Sequence, residues 1–205
     1  MQNFGMYYPV DNFVKDLTDE EEYHLELRRK DNRGYIEGGE DIIDILYWLC
    51  RTSGAKNVVE IGTGNSTIPL LLACKRNGGK LFSTDIACGS HYTQVKDIWK
   101  FPYTDTNIWT YKFGIDSIEM GKQWNGGTID FIYLDSSHTY ENTINEISTW
   151  LNHLKIGGWI VLHDVTSHVN FVFRAVCDMI HIDPTKFEYH HYPNAYGLGI
   201  LIRRK

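Results

Sequence analysis

The stretch NVVEIGTGNSTIPLLLACKRN, residues 57–77, decides the fold of this chain. Asn57–Ile61 is a short run rich in β-branched residues, as a buried strand requires. Gly62-Thr63-Gly64 then makes a turn, and the apolar run from Ser66 to Asn77 reads as a helix. Pro69 falls in the first turn of that helix, where its missing N–H costs little. A strand, a glycine turn and a helix in this order open a β-α-β unit.

Outward from this unit the alternation persists. Asn77-Gly78-Gly79 stops the helix, and KLFST gives a second strand ending at Asp85. A helix around His91 to Phe101, a strand near NIWTYK and a helix from Asp116 to Trp124 are expected next. After Gly126-Gly127, IDFIYLD (129–135) is the strongest buried strand in the chain. The helix behind it is expected to place Ile144, Ile147, Leu151 and Leu154 on one face. WIVLHD (159–164) follows Gly157-Gly158 as a further strand. A helix from about His168 to Ile180 leads to two closing strands, near KFEYHHY and YGLGILIRR, with no helical pattern between them. Upstream, Thr18 and Glu21 have capping-box spacing ahead of a charged helix running to Lys30. Gly38-Gly39-Glu40-Asp41 opens a second helix through IIDILYWLC, which Gly54 ends. The order predicts an α/β Rossmann-like, doubly wound sheet of seven strands with helices on both faces. The sheet should be mostly parallel and close with a C-terminal antiparallel hairpin. Residues 1–205 read as a single domain, with 1–53 as an N-terminal helical cap and 54–205 as the cofactor-binding core.

Composition narrows the function. The chain has 205 residues, 42% apolar and 22% charged, enough to bury one core and too little charge for disorder. A net charge of −6 argues against nucleic acid as the partner, because phosphate neutralisation needs clustered Lys and Arg. The N-terminus lacks a basic segment followed by an apolar one, so no signal peptide is read there. IIDILYWLC is too short to span a bilayer and contains Asp44. Cys50, Cys74, Cys88 and Cys177 have no CxxC spacing and read as free thiols in a reducing compartment. A cytoplasmic protein acting on a small molecule is expected, with neither nucleic acid nor membrane as partner. The edge hairpin and an aromatic N-terminus could support a homodimer.

In a doubly wound sheet ligands bind at the carboxyl ends of the strands, where strand order reverses. This chain puts Glu60 to Ser66, Asp85, Asp116, Asp135 and His163-Asp164 there. Thr67 stands where a dinucleotide fingerprint has its third glycine, and Glu60 would repel a pyrophosphate. A carboxylate there suits a ligand with an ammonium and a sulfonium, and Asp85 suits the hydroxyls of a ribose.

VVEIGTGNST, the acid of STDIA, the GIDS segment, DFIYLDSSHTYE and LKIGGWIVLHD together resemble the class I S-adenosylmethionine-dependent methyltransferases. Within them they look like the small-molecule O-methyltransferases of the catechol, sugar-modifying and cephalosporin-hydroxylase-like types. The resemblance implies S-adenosylmethionine as cofactor, with Glu60, Gly62, Thr63, Gly64 and Ser66 around its methionine part. It puts Asp85 on the ribose, Ile86 beside the adenine, and Asp116 and Ser117 at the adenine edge, with Asp135 near the donor. It also implies a divalent cation, Mg²⁺, Mn²⁺ or another, held by Asp135, His163 and Asp164. His163 departs from the family's usual oxygen ligand, and an imidazole shifts preference from Mg²⁺ towards Mn²⁺, Fe²⁺ or Zn²⁺. The alternative is that His163 packs behind the sheet.

Methyl transfer is an in-line displacement, so the protein must position and deprotonate the acceptor. His138, Asp135 and Asp164 are the candidate catalytic residues. His138 stands where the catechol-type enzymes keep a lysine and could serve as general base. The expected activity is metal-assisted O-methylation of a sugar or natural-product intermediate. Metal-independent N- or O-methylation with His138 as base is the alternative. Remoter readings are a nicotinamide-dependent oxidoreductase and a non-catalytic module that keeps the pocket. His168 is placed near the substrate, and the N-terminal aromatics Tyr7, Tyr8 and Tyr35 suggest a lid over the acceptor. Trp99 and Tyr103 are expected in packing, and one of His190 and His191 must face outward on its strand.

Overall fold

A computed structural model describes residues 16–33, 39–87, 107–167, 171–193 and 196–205. Two helices, α1 (Asp19–Arg33) and α2 (Gly39–Thr52), precede the core. The core then runs β1 (Asn57–Ile61), α3 (Thr67–Asn77), β2 (Lys80–Asp85), β3 (Trp109–Phe113), α4 (Ser117–Lys122) and β4 (Ile129–Leu134). It continues through α5 (Tyr140–Leu151), β5 (Leu154–Leu162), α6 (Phe171–Ile182), β6 (Phe187–Tyr192) and β7 (Leu198–Arg203). The expected helix at 91–101, and with it Cys88, Trp99 and Tyr103, lies outside the described residues. So do Tyr7, Tyr8, Tyr35 and His168.

The seven strands form one sheet in the order β3-β2-β1-β4-β5-β7-β6. The first five are parallel, and β7 runs antiparallel between β5 and β6. Strand order reverses between β1 and β4, so the ligand crevice opens above that pair. Residue alternation separates two cores. Val58, Phe131, Tyr133, Val161 and Ile200 face α1, α2 and α3. Their neighbours Val59, Ile132, Ile160, Leu162 and Leu201 face α4, α5 and α6. Each fully buried aliphatic side chain contributes about 1.5–3 kcal/mol. Among the described residues, no helix is long and apolar enough to cross a membrane.

The capping box forms as expected: the Thr18 N–H donates to Glu21 Oε2 (2.8 Å) and the Glu21 N–H to Thr18 Oγ1 (3.3 Å). Two expectations need correction. Leu154 is not on the helix face but is the first residue of β5, and the buried side of α5 is Thr143, Glu146, Ile147, Trp150 and Leu151. Gly157-Gly158 does not precede the strand either. The strand runs through it, with Gly157 at φ +78° and a register break opposite Ile129–Phe131. The glycines absorb a bulge that a residue with a Cβ would resist.

Candidate active site

The glycine turn after β1 is held from below. Glu60 is fully buried, and its Oε1 accepts from Ser66 Oγ (2.6 Å) and Thr67 Oγ1 (3.0 Å). Its Oε2 accepts from Thr67 Oγ1 (2.9 Å) and Ser83 Oγ (2.6 Å). Burial outweighs these bonds and pushes the carboxyl up to about 7. Because Ser66 turns towards Glu60, it leaves α3 without a side-chain cap at its N-terminus. Above, Asp85 Oδ2 accepts from the Thr63 N–H (2.9 Å) and Thr63 Oγ1 (3.0 Å), which ties the turn to the end of β2. Ile86, beside Asp85, is 72% exposed.

Gly62 lies at φ +86°, and a Cβ there would sit 1.9 Å from the Asp135 carbonyl oxygen. Only glycine lets β1 turn so close to the end of β4. This contact joins the glycine turn directly to the second cluster.

That cluster is built from the ends of β4 and β5. One nitrogen of His138, Nε2, lies 3.0 Å from Asp135 Oδ1 and 3.1 Å from Asp164 Oδ2. His163 Nδ1 lies 3.3 Å from Asp135 Oδ1 and 3.5 Å from Asp164 Oδ2. One donor atom from each of these four residues lies within 4.8 Å of the others. Tyr133 donates its hydroxyl to Asp135 Oδ2 (3.0 Å) and so orients the carboxylate from below. Burial alone would raise the Asp135 carboxyl, but the two imidazoles hold it far below the usual range. Burial would lower His138, yet its bond to Asp135 and the charges of Asp135 and Asp164 raise it. His138 (φ 55°) and Asp164 (φ 61°) both adopt the left-handed conformation, at about 1–2 kcal/mol each. Strain of this kind concentrates at working sites.

The structure thus brings Asp135, His163 and Asp164 together and adds His138 as a fourth potential ligand. Asp116 caps α4, its Oδ1 accepting from the Ile118 (2.9 Å) and Glu119 (3.1 Å) N–H groups. Ser117 bonds to Glu146, which also accepts from Ser136 Oγ (2.7 Å). Sequence reasoning missed Glu146; its one signal was a carboxylate on the same face of α5 as Ile147 and Trp150. Nor did it foresee Arg28, whose Nη1 donates to Asn65 Oδ1 (3.2 Å) in the glycine turn.

A doubly wound sheet with acids at its strand ends and a glycine turn over its switch point defines an α/β enzyme that binds a nucleoside-bearing cofactor. The chain belongs to the methyltransferase domain family, whose model matches residues 59–165, just over half of it. That membership answers the choice between a methyl donor and a nicotinamide in favour of the former. No curated protein is similar enough in sequence to match. Among solved structures, a putative caffeoyl-CoA O-methyltransferase from Staphylococcus aureus superposes with a TM-score of 0.69 at 17% identity, covering 95% of this chain and 96% of its own. An O-methyltransferase from Bacillus cereus, in complex with S-adenosylhomocysteine, gives 0.64 at 19% identity, covering 95% and 97%. TomG of Streptomyces achromogenes, an O-methyltransferase of tomaymycin synthesis bound to S-adenosylmethionine, gives 0.65 at 13% identity over 100% of both chains. At these identities the likeness is one of fold.

Proposed function

We propose that this protein transfers the methyl group of S-adenosylmethionine to a hydroxyl of a small molecule, a sugar or natural-product intermediate, with the help of a divalent cation. The observation that carries this reading is the contact between the turn at Gly62 and the cluster at Asp135. That contact supports a donor site at the turn with an acceptor-activating site beside it. The donor chemistry of the cluster fits a cation: two imidazoles and two carboxylates converge, oriented by Tyr133. Their spacings of 3.0–3.5 Å match ligand atoms sharing an ion with bonds of about 2.1 Å. The mixed nitrogen and oxygen set favours Mn²⁺, Fe²⁺ or Zn²⁺ over Mg²⁺. A cation bound there would lower the pKa of the acceptor hydroxyl and fix its orientation. Asp135 and Asp164 supply the countercharge, and His138 and His163 complete the set that would hold the cation. The solved relatives bound to S-adenosylmethionine and S-adenosylhomocysteine support the donor assignment. Glu60, Gly62, Thr63, Gly64, Ser66, Asp85, Ile86, Asp116, Ser117 and Asp135 would then line the cofactor.

A second reading has its own support. His138 is held between two carboxylates and binds its proton more tightly than a free imidazole, as an oriented general base does. On that reading methyl transfer needs no metal. The test is calorimetric titration with S-adenosylmethionine, then with Mn²⁺, followed by turnover on a panel of catechols and sugars with and without EDTA. One cofactor site and one Mn²⁺ site per chain, with turnover lost in EDTA and restored by Mn²⁺, support the metal-assisted reaction. Full turnover in EDTA leaves the His138 mechanism, and absence of cofactor binding at several temperatures refutes both.

A further inference from the structure

The inner face of α5 buries a carboxylate, Glu146, that neither the glycine turn nor the four-residue cluster uses. It is 1% exposed, and among the described residues it has hydroxyl partners and no ion pair. Those partners come from two different loops. Ser117, the first residue of α4, donates its hydroxyl to Oε1, and Ser136 donates to Oε2 (2.7 Å). Ser136 Oγ in turn accepts from Asn142 Nδ2 (3.4 Å). An amide nitrogen can only donate, so the proton of Ser136 is committed to Glu146. One turn further along α5, Trp150 Nε1 donates to the Ser117 carbonyl (3.1 Å). At the other end, Ser136 follows Asp135 directly, and Thr139 caps α5 by accepting from the Asn142 N–H (3.3 Å). The loop is thus held on both sides of His138, whose backbone sits at φ 55°. A residue stays in that conformation only where its surroundings over-determine it.

We infer that Glu146 is a positioning residue that couples the two halves of the site: by holding Ser117 and Ser136 on one buried carboxylate, it makes cofactor binding and cation binding depend on each other. This rests on the proposed function, with Ser117 at the adenine edge and the cation at Asp135, His138, His163 and Asp164. The element with two states is the loop from Ser136 to Thr139. With Ser136 held, His138 Nε2 stays between Asp135 and Asp164. Released, the backbone relaxes from its left-handed conformation and carries the imidazole away from both carboxylates. A ligand that fixes Ser117 fixes one end of the brace and so favours the held state. The coupling is reciprocal, because both ligands bias the same equilibrium.

The experiment measures Mn²⁺ affinity by calorimetry, with and without saturating S-adenosylhomocysteine, in wild type and Glu146→Gln. Glutamine keeps the shape but can accept from one serine only, since its amino group must donate to the other. In wild type S-adenosylhomocysteine is expected to tighten Mn²⁺ by about 5-fold or more, and Mn²⁺ to tighten S-adenosylhomocysteine by the same factor. In Glu146→Gln that factor should fall below about 2-fold, while affinity for S-adenosylhomocysteine without metal stays within about 3-fold of wild type. Ile147→Val, at the next residue of α5 and in the same core, controls for mere loosening of the helix: it should lower Tm and keep the wild-type factor. An unchanged factor in Glu146→Gln would assign the coupling to the contact between Gly62 and Asp135. Equal loss in Ile147→Val would reduce Glu146 to packing, and a wild type without coupling would leave nothing for it to carry; each of the three overturns the inference alone. Should Glu146→Gln fail to melt cooperatively, Ser136→Ala, which cuts the brace at its loop end, is read in its place by the same ratio. A folded wild type that fails to bind S-adenosylhomocysteine or Mn²⁺ refutes the proposed site itself, and the inference with it.

Discussion

Replacing Gly62 by alanine tests the link between the two halves of the site. The new Cβ would lie 1.9 Å from the Asp135 carbonyl oxygen, more than 1 Å inside the 3.0 Å that real Cβ contacts respect. The turn cannot relax in place, because Gly62 donates to the Thr84 carbonyl (2.9 Å) and Asp135 to that of Ile61 (2.8 Å). Alanine at φ +86° adds about 1–2 kcal/mol of conformational cost. Loss or distortion of the two flanking hydrogen bonds adds about 1 kcal/mol each. A destabilisation of about 3–4 kcal/mol follows, or a fall of roughly 10 °C in Tm for a chain of this size. Gly64→Ala is the internal control: a Cβ there meets nothing within 4 Å, and its φ is not positive. It should change stability by less than about 1 kcal/mol while weakening S-adenosylmethionine binding at the proposed site, where the glycine lets the ligand approach the backbone. Melting curves followed by circular dichroism, paired with calorimetry, read both effects. Equal Tm values for the two variants would refute the reasoning, as would a Gly62→Ala protein with wild-type stability.

Three further outcomes are expected. Glu60 binds its proton more tightly folded than unfolded, with its carboxyl at about 7 against an ordinary 4.5, so it makes the fold less stable as pH rises between those values, by about 3 kcal/mol in all. Chemical denaturation of Glu60→Gln should lack that decline, and parallel pH curves for variant and wild type would show the burial argument wrong. Glu21 is the reverse case: burial raises its carboxyl, but Lys75, the Thr18 N–H and Arg76 outweigh it and lower it. Its contribution is therefore present above the unfolded value and lost as pH falls through the folded one, and Glu21→Gln should cost about 1–3 kcal/mol at pH 7; a cost under 0.5 kcal/mol, roughly the noise of a surface change, would contradict it. Asp164→Ala should weaken Mn²⁺ by at least about 10-fold while leaving S-adenosylmethionine affinity within a few-fold; unchanged Mn²⁺ binding would remove Asp164 from the ligand set.

The sequence by itself determined the layered α/β order, because strands and helices here announce themselves by period and by glycine punctuation. Runs such as NVVEI and IDFIYL are buried on both faces, and alternation of their residues between two cores follows from the pleat alone. It also determined which strand ends carry acids, since parallel strands all deliver their last residues to one edge. The α5–β5 boundary was misread because Leu154 and the two glycines satisfy either pattern, and only pairing with β4 settles their register. The direction in which a polar side chain points was likewise left to tertiary structure. Glu60 turns beneath its loop because Ser66, Thr67 and Ser83, from separate elements, converge on it. His138 joins the carboxylates because a left-handed backbone swings it back towards Asp135 and Asp164. Arg28 reaches Asn65, 37 residues away, because α1 packs across α3. Such contacts depend on chain paths that no local pattern encodes, and they are the ones that turn a row of acids into a site.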